Sequence, residues 1–380
     1  MRDSVWLCDT TLRDGEQTPG VAFSFEEKAR IATRLSDAGI DELEVGVPSV
    51  GPDEFDSIRR LVNLRLPARL MTWNRAVRSD LETSFRTGVG GVSVCIPVSD
   101  QHIQHKLRKS RAWAIESMGE LVTLAKKEGK YVCLGLEDAS RADVDFLMSI
   151  IKEAEGLKVD RIRLADTLGV LDPLEVYVRF FPLARRSTIP LEFHAHNDFG
   201  MATANALAAI KAGFKAVSVT VGGLGERAGN APLEEVAVAI QHVLNRSTLL
   251  DISQVHSICL MVSSITRREI PHSKPIVGSD VFTHTSAVHL DGIRKDVVNY
   301  QPFPPESISR EHTMAFGKYS GAKELVRLLE KEGISYNQDQ LTELLIRVRL
   351  YSSVKKTSLE VKDILPFVES IKQARKTVNS

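Results

Sequence analysis

A chain of 380 residues is too long for one average domain and suits a barrel of roughly 250 residues followed by an extension. Lysine plus arginine and aspartate plus glutamate number 49 each, so no net field draws the protein toward nucleic acid or an anionic membrane surface, and its ligands are expected to be small. No apolar stretch approaches the ~20 residues of a membrane span. Residues 1–6 lack a basic-then-apolar signal pattern, and Cys8, Cys95, Cys133 and Cys259 form no CxxC pair, so a cytoplasmic protein with reduced thiols is expected.

Short β-rich runs alternate with longer amphipathic stretches, the pattern of parallel βα units. The first strand is read at residues 5–9. Ser24-Phe-Glu-Glu27 then makes a capping box for a helix that runs to Ala38, with Gly39 as its left-handed stop. Strand two spans residues 41–46; strand three, 69–75, leads to a helix capped by Ser79 and Glu82 and closed by Gly88. Strands four to eight follow at 91–98, 131–138, 159–166, 191–198 and 216–221, and Gly129, Gly156 and Gly213 sit where intervening helices should stop. About eight such units in series favour an α/β fold of the closed (β/α)8 TIM-barrel type over an open doubly wound sheet. Beyond Asn245 the alternation ends, Pro271, Pro275, Pro302, Pro304 and Pro305 punctuate the chain, and the tail from Lys323 reads as amphipathic helices. The expected division is a catalytic barrel over residues 1–265 and a C-terminal linker and helical extension over residues 266–380.

In such barrels chemistry gathers at the C-terminal ends of the strands. Here strand one runs into Asp9-Thr-Thr-Leu-Arg13-Asp14-Gly-Glu-Gln17, strand five ends in Glu137-Asp138, strand six in Asp166-Thr167, and strand seven in His194-Ala-His196. Residues i and i+2 of a strand share a face about 7 Å apart, so both histidines can meet one cation. A carboxylate from strand one would complete three protein ligands, and spacing alone does not choose between Asp9 and Asp14. Two imidazoles and a carboxylate leave open positions on a divalent ion, which could polarise the carbonyl of a 2-oxo acid or, as iron, serve oxygen chemistry. Arg13 is suited to the oxyanion that forms when a carbonyl is attacked, and also to pairing with Glu44. The segment from Gly222 to Asn230 follows strand eight, so its bare amides, Gly223 and Gly225 among them, are candidates for an anionic group of a cofactor.

These segments resemble the homocitrate, isopropylmalate and citramalate synthases over nearly the whole chain. The likeness rests on Asp9-Thr-Thr-Leu-Arg-Asp-Gly-Glu-Gln17, His194-Ala-His196 and Gly223-Leu-Gly-Glu-Arg-Ala-Gly-Asn230. Pro97-Val-Ser-Asp100, His105-Lys-Leu107, Cys133-Leu-Gly-Leu-Glu-Asp-Ala-Ser-Arg-Ala-Asp143 and Val281-Phe-Thr-His284 are similar to the nitrogen-fixation branch of homocitrate synthases. The resemblance implies Asp14, His194 and His196 as ligands of magnesium, manganese, iron or zinc, with Asn230 close to the metal. It also implies Gln17 and Thr167 at the 2-oxo acid, and Glu137, His289 and Tyr300 in enolising an acetyl thioester. The last two would reach the barrel of the neighbouring subunit in a homodimer.

The activity so implied is metal-dependent condensation of acetyl-CoA with 2-oxoglutarate to give homocitrate and CoA, for the nitrogenase cofactor. Within the class, 2-isopropylmalate and citramalate synthases are the alternatives, although the former usually carry a regulatory domain for which this chain has little room. A metal-dependent acyl-CoA lyase would share barrel and ligands without needing the extension that bears His289 and Tyr300. An iron oxygenase would more naturally sit on a jelly roll. Lysine-pathway homocitrate synthases use a strand-five arginine for the distal carboxylate of 2-oxoglutarate; this chain has Cys133 there, which leaves the partner of that carboxylate unassigned.

Overall fold

In the computed structural model, which describes residues 4–378, the expected strands form as β1 (Trp6–Asp9), β2 (Glu42–Glu44), β3 (Arg69–Arg75), β4 (Gly91–Pro97), β5 (Tyr131–Glu137), β6 (Arg161–Asp166), β7 (Leu191–Ala195) and β8 (Ala216–Val219). They pair in parallel in chain order, and β8 returns to β1, so the sheet closes. A helix follows each strand: α1 (Phe25–Asp37), α2 (Pro52–Val62), α3 (Arg78–Arg86), α4 (Arg111–Lys127), α5 (Val144–Gly156), α6 (Pro173–Arg186), α7 (Ala202–Ala212) and α8 (Leu233–His242). This is a TIM barrel. With α9 (Val255–Thr266) the first unit extends to Ile270, five residues past the boundary expected at 265, and the second runs from Pro271.

Local chemistry explains most of the helix limits. Ser24 Oγ accepts from the Glu27 amide at 3.2 Å while Glu27 Oε2 accepts from the Ser24 amide at 2.8 Å, closing the capping box of α1. Gly39, Gly88, Gly129 and Gly213 all adopt the left-handed conformation at helix ends. One expectation is corrected. Helix α3 begins at Arg78 behind Val77 with no side-chain cap, so Ser79 and Glu82 lie inside it, and Glu82 instead accepts from Arg78 at 3.3 Å. Helix α5 stops at Gly156 as expected, although the left-handed residue that follows is Lys158 rather than the glycine.

Strand parity divides the barrel wall. Phe193 of β7 packs with Phe180 of α6 and with Phe214, ring centroids 5.9 and 6.0 Å away, so its parity faces the helices. The other parity faces the axis, where barrels usually stack branched apolar side chains. Here it carries charge. Arg161 of β6 binds Glu42 of β2 and, through Nε at 2.7 Å, Glu192 of β7. Arg163 binds Glu192 at 2.8 Å and Glu44 of β2 at 2.7 Å, and Arg13 reaches Glu44 at 2.5 Å. Three guanidiniums and three carboxylates thus neutralise one another. Burial pushes the Glu192 carboxyl up, yet the two arginines, Ser218 and His194 hold it at about 2.

The second unit contains α10 (Ala287–Lys295), α11 (Ala322–Lys331), α12 (Gln338–Lys355) and α13 (Val361–Val378), with a two-stranded parallel ribbon of β9 (Thr283–His284) and β10 (Thr313–Met314). Its core gathers Phe316, from an isolated bridge with Leu359, and Leu325, Leu328, Leu344, Val348 and Ile364 from the apolar faces of helices anticipated from Lys323 onward. Asn337 and Gln340 form a capping box that opens α12. Among the described residues no helix is long and apolar enough to cross a membrane.

Candidate metal centre

The loop after β1 turns sharply because Thr10 O accepts from both the Arg13 and Gly15 amides, at 3.1 and 3.0 Å, which sets Asp14 over the barrel mouth. His194, the penultimate residue of β7, shares the parity of Glu192, and His196 lies one same-face step beyond. A bridge with Asn230 and an amide bond to Asp166 O at 3.3 Å hold His196 in place. His194 Nε2 lies 3.3 Å from His196 Nε2 and 3.4 Å from Asp14 Oδ2. One ligand atom from each residue falls within 4.8 Å of the other two, and all three side chains are buried.

Electron-pair donors crowded this way call for a cation. Asp14 Oδ1, Asn230 Oδ1 and the Nδ1 atoms of both histidines are buried without hydrogen-bond partners. Burial, reinforced by His194, pushes His196 down to about 4, so its imidazole is neutral and free to ligate. Burial works to raise Asp14, but Arg13 and His194 hold it well below the usual carboxylate range. An O/N/N set with a fourth oxygen nearby fits a divalent metal. Asn230 donates through Nδ2 to Leu224 O at 2.9 Å, and Gly225 leaves the room it occupies: a side chain at Gly225 would collide with the Asn230 amide and lie 3.3 Å from Asp14 Oδ1.

The choice left open between two aspartates resolves through parity. Cys8 faces the axis, where Arg161 and Glu192 act on its thiol, so its neighbour Asp9 points the other way. Asp9 accepts the Thr11 amide and hydroxyl at 2.9 Å each, and Thr11 Oγ1 accepts from the Val221 amide, which ties the β1 and β8 loops together. Burial, with Glu234 adding to it against the Thr11 bonds, raises Asp9 to about 7.

Arg13, Asp14, Gln17, Glu137, Thr167, His194 and His196 line one cavity of about 230 Å³. Arg13 is clamped between Glu44, the pairing that the sequence suggested, and Asp14, the latter at 2.8 Å. Thr167 Oγ1 accepts from the Asp138 amide at 2.9 Å, and Glu137 pairs with Lys106 at 2.7 Å. Trp73, Cys95, Gly135 and Arg163 also line the cavity and went unrecognised in the sequence. Their signal was the alternation of polar or small with apolar residues inside strands, such as Arg161-Ile-Arg163-Leu.

One expectation is corrected: Gly223 and Gly225 do not present bare amides. The first donates to Thr220 O at 3.1 Å and the second to Thr18 Oγ1 at 2.7 Å, so the loop packs Asn230 against Asp14 rather than cradling an anion through these groups. His289 and Tyr300 lie in the second unit, brought together with ring centroids 4.4 Å apart; Gly292 of α10 leaves space for the Tyr300 ring.

Residues 4–262 match the family described as HMGL-like, and residues 276–356 match the homocitrate synthase post-HMGL domain-like family. The chain is similar to 2-isopropylmalate synthase 2 of Caldanaerobacter subterraneus subsp. tengcongensis, 44% identical over 97% of this chain and 96% of that one. It is also similar to homocitrate synthase 1 of Nostoc sp., 41% identical over 97% of each chain. Among solved structures, hydroxymethylglutaryl-CoA lyase from Pseudomonas aeruginosa shares the barrel, with a TM-score of 0.62 and 20% identity over 71% of this chain and 95% of that one.

Proposed function

The chain belongs to the HMGL-like family, as an enzyme of its acyltransferase-type synthases, and from that premise we propose that it is a homocitrate synthase, joining the acetyl group of acetyl-CoA to the ketone of 2-oxoglutarate. The observation that carries this reading is the convergence of Asp14, His194 and His196 on a cavity shared with Arg13. The match of the second unit to the homocitrate synthase domain supports it. A divalent ion held by these ligands, with Asn230 beside them, supplies Lewis-acid polarisation of the keto oxygen.

The protein's own groups position and neutralise. Arg13, clamped from two sides, sets positive charge where the ketone oxygen becomes an alkoxide. The Thr167 hydroxyl, already accepting from Asp138, keeps its proton to donate to the carboxylate of the 2-oxo acid, and Gln17 lines the same wall. The acetyl methyl group loses a proton to the set of Glu137, His289 and Tyr300, and its carbon forms the new bond to the keto carbon. Water then cleaves the thioester, releasing CoA and homocitrate and making the sequence of steps irreversible. A homodimer, and homocitrate destined for the nitrogenase cofactor, belong to the same proposal.

The 44% identity to a 2-isopropylmalate synthase favours a second reading, in which 2-oxoisovalerate replaces 2-oxoglutarate. CoA release measured with 2-oxoglutarate, 2-oxoisovalerate and pyruvate in parallel, with and without chelator, decides between them. Chelator-sensitive turnover favouring 2-oxoglutarate is expected; a preference for either other acid overturns the homocitrate reading.

A further inference from the structure

Arg163 is a charged group of the cavity wall that the proposed reaction leaves unused. Arg163 Nε donates to Glu192 and Nη1 to Glu44, while Nη2 is buried and meets no acceptor. A guanidinium is a planar fork of five N–H groups, and two glutamates fix this one on two of its three nitrogens. The third nitrogen belongs to a residue that lines the cavity.

Register places Arg163 deeper in the barrel than the candidate metal ligands. Ala165 pairs with His194 across β6 and β7, and Arg163 pairs with Glu192, so Arg163 stands one same-face step, about 7 Å, deeper than the histidine level. On its other side Arg163 pairs with Gly135 of β5, and Gly135 pairs with Cys95 of β4. Gly135 makes room for the Cys95 thiol, and both residues line the cavity together with Arg163. Cys133 offers nothing to this end of the cavity: it pairs with Arg161, another step down, and its thiol lies 3.6 Å from Glu192.

We propose that Arg163 is the specificity-determining residue that reads a second anionic group on the 2-oxo acid, its Nη2 donating to a distal carboxylate or to a phosphonate of the same reach. The inference rests on the reading that a 2-oxo acid binds at the Asp14, His194 and His196 level. An acid with an apolar tail would leave the buried N–H pair unanswered once the cavity is filled, which is how a site built to hydrogen-bond one substrate rejects its analogue.

The test compares kcat/KM for 2-oxoglutarate, its 5-methyl ester, 2-oxovalerate and 4-phosphono-2-oxobutyrate. At least one of the two acids with anionic tails is expected to exceed both neutral ones on the order of 10²-fold in the native enzyme. Arg163→Lys keeps charge for Glu44 and Glu192 but loses the fork. It should raise KM for the preferred anionic acid on the order of 10²-fold and leave kcat/KM for 2-oxovalerate within about threefold. A merely structural role would lower all the acids alike, and that result overturns the assignment. So does native enzyme that uses the methyl ester as well as the free acid, an outcome readable even if the variant fails to fold. Preference for 2-oxoglutarate with unaltered discrimination in Arg163→Lys removes only the role of Arg163; preference for 2-oxovalerate removes the homocitrate reading with it.

Discussion

At the barrel mouth, Asp14 Oδ1, Asn230 Oδ1 and the Nδ1 atoms of His194 and His196 are buried without partners. One and two same-face steps lower, Glu44, Glu192, Glu42 and Arg161 are just as buried, yet their charges answer one another. Both layers take polar groups out of water, and they differ in whether the chain itself completes the hydrogen bonds. Buried groups left open mark a place prepared for a ligand, while closed ones mark structure. Arg163 belongs to both layers, closed toward Glu44 and Glu192 and open at Nη2.

The comparison breaks most sharply if the mouth proves structural. His194→Ala or Asp14→Ala should abolish metal-dependent turnover, a fall on the order of 10³-fold or more, with little change in thermal unfolding of the metal-free protein. CoA release and circular dichroism melts on the same preparations check both halves. Full activity in either variant would refute the centre. The lower layer should answer in the opposite way. Glu192→Gln leaves Arg161 and Arg163 short of a carboxylate and should cost about 3–5 kcal/mol in urea unfolding. A loss below about 1 kcal/mol would show that the charged layer is not closed as described.

How far each layer was legible follows from the same distinction. The mouth could be read because loaded strand ends and the spacing of His194 and His196 are meaningful in a barrel, and Arg13 was already matched with Glu44. The lower layer could not, because a barrel strand is buried on both parities. Glu42-Leu-Glu44 and Arg161-Ile-Arg163 look like half-exposed strands, whereas their apolar positions face helices and their charged ones face the axis. Parity also separates Asp9 from Asp14, once the axis-facing side is known from Cys8. The start of α3 was missed because Arg78 opens it behind Val77 without a side-chain cap. His289 and Tyr300 enter the proposal only through family resemblance, since nothing in their spacing singles them out.

Asp9 sharpens the contrast as a buried carboxylate on the outer parity, held by Thr11 and facing the charge of Glu234. Its pKa of about 7 in the folded protein exceeds the value of about 3.9 expected when unfolded. The stability it contributes as a neutral group is therefore full below pH ~4 and lost as pH rises through about 7. Between pH 5 and pH 7 the native protein should lose stability relative to Asp9→Asn by up to about 1.4 kcal/mol per pH unit. Urea midpoints at pH 5, 6, 7 and 8 for both proteins test this, and parallel curves would contradict it.

The smallest effect expected is also the finest probe of where the cavity ends. Cys133 lies in the closed layer, fully buried, its thiol donating weakly to Glu192 at 3.6 Å, and burial pushes that thiol up to about 12. Serine there can donate to the same carboxylate, so Cys133→Ser should shift stability by less than about 1 kcal/mol. Because the residue sits below the cavity, KM for the 2-oxo acid should stay within about twofold of native, although the neighbouring-strand variant Arg163→Lys changes it strongly. A large KM change in Cys133→Ser would mean that substrate reaches one layer deeper than Arg163, and the boundary between open and closed layers would have to be redrawn beneath Gly135.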